Sequence, residues 1–247
     1  MHLPIFYLIN FSIILIVLIF LIKYLWDIFF GENYEPPAWT AARKDGILSR
    51  ELLKACRNYA DKVRFYNFWL QVQRLEKDKV EGDFAELGVY KGESARLFRM
   101  MAPERILHLF DTFEGFTGTD LEPETGEASG YSTKNFADTS INKVLNTIGG
   151  DPGKIQLHAG YFPQSAKGLE NISYALVNLD ADLYNPTKAG LDYFYPRLAP
   201  GGVIFIHDYN HKWEGLMKAV DEFAATIPEQ PVLIPDLDST VVIVKNK

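Results

Sequence analysis

Residues 82–94 read Gly82-Asp83-Phe84-Ala85-Glu86-Leu87-Gly88-Val89-Tyr90-Lys91-Gly92-Glu93-Ser94. A short apolar run over 84–87 stops at one glycine. Four residues later a second glycine opens a helical pattern over 93–101. This is the pattern of a strand that turns tightly into a helix. Gly88 and Gly92 allow that turn and the close approach of a ligand to the backbone. Glu86, at the strand terminus, can accept hydrogen bonds from a ligand amine or hydroxyl. Two glycines also serve an ordinary strand-to-helix turn, so the stretch needs its neighbours.

Working outward, apolar runs that read as strands recur at 84–87, 106–110, 155–158, 175–179, 203–206 and 240–244. Helical spacings fall at 61–77, 93–101, 141–148, 187–195 and 213–227. In the first of these helices Phe65, Phe68, Trp69, Val72 and Leu75 recur every three or four residues. Strand–helix alternation with short connections predicts a mostly parallel sheet covered on both faces. Such sheets hold ligands outside the carboxyl ends of their strands.

The second run ends in Phe110-Asp111-Thr112-Phe113-Glu114-Gly115-Phe116. An acidic residue about 20–25 positions beyond a glycine-rich turn can grip the hydroxyls of a ribose. Asp111 fits that spacing, or caps its own turn. The third run ends in His158-Ala159-Gly160-Tyr161-Phe162-Pro163, a small backbone site beside an aromatic wall or ordinary core. The fourth gives Leu179-Asp180-Ala181-Asp182-Leu183-Tyr184, and the fifth Ile206-His207-Asp208-Tyr209. Asp180 and Asp208 should approach each other across adjacent strand ends, where they can hold a hard cation or supply a general base. Asp182 is either a third ligand or simply solvated.

The chain has 247 residues, with 25 Lys+Arg against 32 Asp+Glu, a net charge of -7 and one cysteine. An acidic balance excludes a general nucleic-acid-binding field. The lone Cys56 excludes an internal disulfide framework and suits a reducing compartment. Residues 3–22 carry no charged side chain. Twenty residues at ~1.5 Å rise cross a hydrocarbon layer of ~30 Å. Tyr24 and Trp26 follow Lys23 and are the aromatic type that settles at headgroup level. A signal peptide would show a basic start, a shorter apolar run and a small-residue cleavage site, and a buried core helix is the other alternative. Lys23, Arg43 and Lys44 on the C-terminal flank favour a cytoplasmic body under the positive-inside rule. The expected organisation is a single-pass anchor at 1–30, a linker and helical cover at 31–60, and one α/β domain at 61–247. Within it, 31–40 reads as linker because of Pro36-Pro37.

The strings over 82–92, 110–116 and 179–184, with Tyr195-Pro196-Arg197-Leu198-Ala199-Pro200-Gly201-Gly202, resemble the class I S-adenosylmethionine-dependent methyltransferases. Within that class the chain resembles the macrocin O-methyltransferase (TylF/MycF) family, over about 61–209. The resemblance implies a Rossmann-like fold with a seven-stranded sheet and methylation of a sugar hydroxyl. It implies that Glu86, Gly88, Tyr90, Gly92 and Ser94 hold the methionine portion of S-adenosylmethionine. Asp111, with Thr112 and Phe113 beside it, would meet the ribose, and Gly160 and Tyr161 the adenine. Asp180 would stand beside both the cofactor and the acceptor hydroxyl, sharing Mg2+ with Asp208. His207-Asp208 departs from the family's Asp-Asp pair. Imidazole suits magnesium poorly, which makes His207 a candidate base instead. The anchor also departs from the family pattern; it points to a lipid-linked or otherwise amphiphilic acceptor and leaves a homo-oligomer open. The competing readings are a nucleotide-dependent oxidoreductase and a tethered cofactor-binding protein without turnover. A dinucleotide needs its glycines packed as Gly-x-Gly-x-x-Gly, which this turn lacks.

Overall fold

A computed structural model describes residues 3–30 and 35–246. The chain forms two compact units, Met1–Ile47 and Leu48–Lys247. In the first, helix α1 (Leu3–Phe30) contains a 21-residue apolar stretch, Phe6–Trp26, whose side chains are all exposed. A second helix, α2 (Pro37–Lys44), begins where the linker was expected to continue. Proline at the first helical position needs no amide partner and is pre-set for the turn, so Pro37–Lys44 is helical, while residues 35–36 before it are not. Glu35 accepts from Arg43 at 2.9 Å and from Thr40 at 3.3 Å, tying the helix to its own lead-in. The rest of the expected linker, 31–34, lies outside the described residues.

The second unit opens with α3 (Arg50–Asn58), which the sequence pattern did not separate from its surroundings, and α4 (Lys62–Lys77). Both start on side-chain caps, Ser49 to the Leu52 amide and Asp61 to the Arg64 amide. Then come β1 (Asp83–Leu87), α5 (Glu93–Met101), β2 (Leu107–Asp111), α6 (Gly118–Leu121), α7 (Ile141–Ile148), β3 (Ile155–Ala159), β4 (Tyr174–Leu179), α8 (Tyr184–Arg197), β5 (Leu198–Ile206), α9 (Glu214–Ala224), β6 (Val232–Ile234) and β7 (Thr240–Val244). The sheet order is β3-β2-β1-β4-β5-β7-β6. The first five strands are parallel; β7 runs antiparallel to β5, and β6 to β7. The seventh strand, β6, has three residues between Pro231 and Pro235, too few for an alternation pattern to register.

Alternation sends odd and even residues of each strand to opposite faces. Leu87, Val177, Leu179, Ile204 and Ile206 meet Leu191 and Phe194 of α8 and Leu216 and Val220 of α9 in one core. On the other face Phe68 of α4 packs edge-on against Phe205 at 4.9 Å and in a tilted contact with Phe98 of α5 at 4.8 Å. Each such aromatic burial contributes roughly 1.5–3 kcal/mol.

At the carboxyl edge the backbones crowd. The Asp180 amide donates to the Leu87 carbonyl at 2.9 Å, continuing the β1–β4 ladder past the strands. Gly88 then turns with φ +86°, and a Cβ there would lie 1.9 Å from the Asp180 carbonyl oxygen. Gly88→Ala combines a left-handed φ with that clash and should destabilise the domain by about 2–3 kcal/mol. Urea unfolding followed by far-UV circular dichroism measures it; an unchanged midpoint contradicts the assigned backbone contact.

Candidate active site

The strand ends surround one cavity of about 630 Å³, within the range of small-molecule sites. Of the residues singled out from sequence, Gly88, Tyr90, Ser94, Asp111, Thr112, Gly160, Tyr161, Asp180, Asp182 and Asp208 line it. Glu86, Gly92, Phe113 and His207 do not, each for a local reason.

Glu86 is fully buried one layer behind the wall. Ser94, which does line the cavity, donates its hydroxyl to Glu86 Oε1, and the Asn178 amide donates to the same oxygen at 2.9 Å. Oε2 is buried with no partner. Burial first, then the charges of Asp180 and Asp111, raises the carboxyl to about 8 despite both hydrogen bonds. Gly92 caps α5 at φ +79° and faces Val144 and Ile148 of α7, so its role is packing. Phe113 is buried, and its amide donates to Asp111 Oδ1 at 2.7 Å.

Asp111 does more than face the cavity. Its Oδ2 accepts from the Val89 amide at 2.7 Å and the Tyr90 amide at 2.9 Å, stitching the turn after β1 to the end of β2. The alternative read from the sequence, a cap on its own turn, holds for the Phe113 amide; the bonds to Val89 and Tyr90 lie outside it.

His207 is not placed to act as base or ligand. Strand alternation turns it away from the cavity and under Phe68, 5.6 Å between ring centroids. Nε2 meets Asn178 Oδ1 at 2.6 Å and Nδ1 meets Thr240 Oγ1 at 2.9 Å. Burial holds the ring well below its ordinary value, hence neutral, with Arg64 acting in the same direction.

Asp180, Asp182 and Asp208 converge, each offering an oxygen within 4.8 Å of the others. Asp182 and Asp208 reach this arrangement with φ of +59° and +64°, strained values for non-glycine residues. Burial first, then mutual repulsion, raises Asp180 and Asp182; burial and the Asp238 charge raise Asp208. Asp182 thus belongs to the cluster as fully as the two residues that the sequence favoured. Three oxygen donors at this separation fit a hard divalent cation.

Sequence reasoning missed four further participants. Tyr59 and Arg64 line the acid end of the cavity. Arg64 bonds Asp236 at 3.1 Å and Asp238 at 3.3 Å. Asp120, buried in the segment after β2, accepts the Tyr161 hydroxyl at 2.7 Å. Glu124 accepts the Tyr184 amide at 2.7 Å and so caps α8, whose own first turn has no acidic residue.

The sheet order with an antiparallel β7, and a cavity across the carboxyl ends, define a Rossmann-like methyltransferase fold. The chain belongs to the Macrocin-O-methyltransferase (TylF) family, whose profile matches residues 53–244. It is 26% identical over 173 residues, 66% of each chain, to the 8-demethyl-8-(2,3-dimethoxy-alpha-L-rhamnosyl)-tetracenomycin-C 4'-O-methyltransferase of Streptomyces olivaceus. It is 25% identical over 158 residues to the mycinamicin III 3''-O-methyltransferase of Micromonospora griseorubida, 59% of this chain and 62% of that one. The chain thus spans slightly under two thirds of the length of these two curated relatives. Among solved structures it superposes on the O-methyltransferase NovP with a TM-score of 0.65 and 23% identity, covering 75% of this chain and 81% of that one.

The raised carboxyls carry a stability consequence. Each is easier to ionise unfolded than folded, so the penalty grows as pH climbs above the ordinary Asp value near 3.9. Asp182→Asn should therefore stabilise the protein by about 1 kcal/mol at pH 8, with the gain fading toward pH 4. Thermal unfolding of both proteins across that range reads it; a destabilised variant at pH 8 would contradict the clustered geometry.

Proposed function

We propose that this protein transfers a methyl group from S-adenosylmethionine to a hydroxyl of a sugar-like acceptor. The observation that carries the reading is the single cavity that joins the Gly88–Ser94 turn to the Asp180, Asp182 and Asp208 cluster. Family membership supports the reaction class. The names of the relatives, which specify methylation of hydroxyls on sugar-bearing compounds, support the acceptor class.

When bound, S-adenosylmethionine supplies a methyl group already activated on a sulfonium. The residues fit it. Glu86 keeps an orphaned buried oxygen behind Ser94, a suitable partner for an ammonium, and Gly88 brings bare backbone to the wall. Tyr90, Asp111 and Thr112 line the next section, Gly160 and Tyr161 the far end. The acceptor hydroxyl would lie against Asp180, whose raised carboxyl is better matched to accepting a proton than an ordinary aspartate. His207, with both ring nitrogens committed, is withdrawn as the base. The three carboxylates fit Mg2+, which would lower the pKa of a bound hydroxyl. An oxidoreductase is less well supported, because the Gly88-x-x-x-Gly92 turn lacks the packed glycines that a pyrophosphate requires.

The exposed apolar helix α1 supports a membrane anchor, and the flanking Lys23, Arg43 and Lys44 favour a cytoplasmic body under the positive-inside rule. A lipid-linked saccharide would then be a natural acceptor, and self-association in the bilayer is compatible with the anchor.

Two measurements test these statements. Asp180→Asn should lower methyl transfer from labelled S-adenosylmethionine into a membrane and metabolite extract by at least about 100-fold, with the fold intact by circular dichroism; activity within a few-fold of wild type removes Asp180 from its role. The full-length protein should stay in the membrane fraction after carbonate extraction, and a deletion of residues 1–35 should not. Release of the full-length chain by carbonate would reject the anchor.

A further inference from the structure

The acid end of the cavity is walled in part by the junction between α3 and α4 and by the loop before β7, which bring Tyr59, Arg64 and Asp238 into its lining. The two segments are tied together. Asp61 Oδ1 caps α4, while its Oδ2 accepts the Leu237 amide at 2.7 Å. Arg64 Nε donates to the fully buried Asp236 carboxylate at 3.1 Å, and Nη2 donates to Asp238 at 3.3 Å. Tyr59 is held in this junction by both backbone groups: its amide donates to the Ala55 carbonyl at 2.9 Å, and its carbonyl accepts from Lys62 Nζ. Its ring packs on Phe65, 6.1 Å between centroids. Its hydroxyl meets the Arg64 guanidinium, and both side chains lie close enough to Asp180 to feel its charge.

Six hydroxyl side chains line the cavity, and five of them give their proton to the protein itself. Ser94 donates to Glu86 and Thr112 to the Gly115 carbonyl at 2.8 Å. Thr117 and Tyr161 donate to the two oxygens of Asp120, and Tyr90 to Asp138, each at 2.7 Å. Tyr59 is the sixth. Arg64 can only donate, so the Tyr59 oxygen is the acceptor in their contact and its own proton points elsewhere. Among the described residues no side chain accepts that proton. Ionisation does not remove it either. Burial holds the hydroxyl well above the ordinary tyrosine range, against the pull of Arg64 and with the help of Asp180 and Asp61. A fixed donor without a partner therefore stands beside the three clustered carboxylates.

We propose that Tyr59 is a specificity-determining residue that donates its hydroxyl proton to a second oxygen of the acceptor, while Asp180 faces the hydroxyl that is methylated, and that Arg64 is the positioning residue that aims it. The inference rests on the cavity being a methyl-transfer site. The reacting oxygen releases its own proton and needs a lone pair for the incoming methyl group, so a fixed donor at that atom would compete for the pair. Another oxygen of the same molecule carries no such demand. Donation to it orients the acceptor without opposing the reaction. A hydroxyl, an ether or a ring oxygen each offers the lone pair required. The acceptor class is thus a compound with at least two oxygens on one small ring, as in a sugar, and an isolated alcohol is bound less well because it leaves Tyr59 unpaired.

The experiment measures initial rates of the full-length protein in detergent, with saturating labelled S-adenosylmethionine and a dilution series of a membrane and metabolite extract as acceptor. Calorimetry with S-adenosylhomocysteine runs beside it. Tyr59→Phe deletes one oxygen and should raise the extract concentration at half-saturation by about five- to tenfold, with the saturated rate kept within about twofold. Its affinity for S-adenosylhomocysteine should equal that of wild type. Arg64→Lys keeps the charge but gives up the planar fork; it should raise the same half-saturation by about threefold, and decides the matter if Tyr59→Phe does not fold. Half-saturation equal to wild type in the folded variant overturns the proposal. So does a fall in the saturated rate alone, which would place the hydroxyl at the reacting atoms, and so does a matching loss of S-adenosylhomocysteine affinity, which would assign Tyr59 to the cofactor. Failure of wild type to methylate any component of the extract overturns instead the functional reading, and this inference with it.

Discussion

The carboxyl edge of β1 and β4 is where this structure has the least freedom. Parallel strands deliver their ends to one side, and here the two central ends stay hydrogen-bonded beyond the sheet, from the Asp180 amide to the Leu87 carbonyl. The chain must then turn out of that ladder within a residue, and only a residue without a Cβ fits beside the Asp180 carbonyl. The contact fixes the Gly88 turn against Asp180 and so fixes the distance between the two ends of the cavity. Asp111 reinforces it from the next strand by accepting both amides that follow Gly88. The site is thus a consequence of how three strand ends are tied, and its side chains inherit their positions from that backbone.

Electrostatics at this edge run against stability. Burial disfavours charge on Asp180, Asp182 and Asp208, the charge of Asp208 opposes the ionisation of Asp180 and Asp182, and Asp238 opposes that of Asp208. Arg64 favours charge on Asp180 and Asp208 but is already engaged by Asp236 and Asp238, and Lys212 favours charge on Asp182. Two of the three aspartates also hold left-handed backbone angles. Repulsion and strain concentrated on one cavity wall are what a protein tolerates where a cation or a proton transfer relieves them.

The sequence was most legible where local chemistry decides the outcome. α5 and α7 match the helical spacings at 93–101 and 141–148, and β1 and β4 begin one residue before the runs at 84–87 and 175–179. It was least legible where one residue's neighbour lies far along the chain. Arg64 and Asp236 are 172 positions apart, and no local pattern marks either. His207 and Asp208 show why adjacency misleads. Strand alternation carries His207 to the α4 face, and a positive φ at the next residue returns Asp208 to the cavity. A pair that looks like one motif in sequence is therefore divided between two sides of the sheet. Asp182 was undervalued for the same reason, since its place in the cluster depends on a backbone angle that its residue type does not reveal.

Asp111 shows how a structural role and a ligand role can share one side chain. An ionised carboxylate offers about four acceptor positions. Three are taken here, two on Oδ2 by the Val89 and Tyr90 amides and one on Oδ1 by Phe113. One position on Oδ1 remains, on a residue that lines the cavity. That leaves room for a single ribose hydroxyl rather than a two-pronged grip on both. A second hydroxyl would need another acceptor, and Thr112, beside it in the lining, already donates its own hydroxyl to the Gly115 carbonyl at 2.8 Å. With its proton so engaged, the Thr112 oxygen can only accept, which suits the remaining hydroxyl. The two adjacent residues would then divide between them what the spacing argument assigned to Asp111 alone, and the carboxylate would keep the turn in place while doing so.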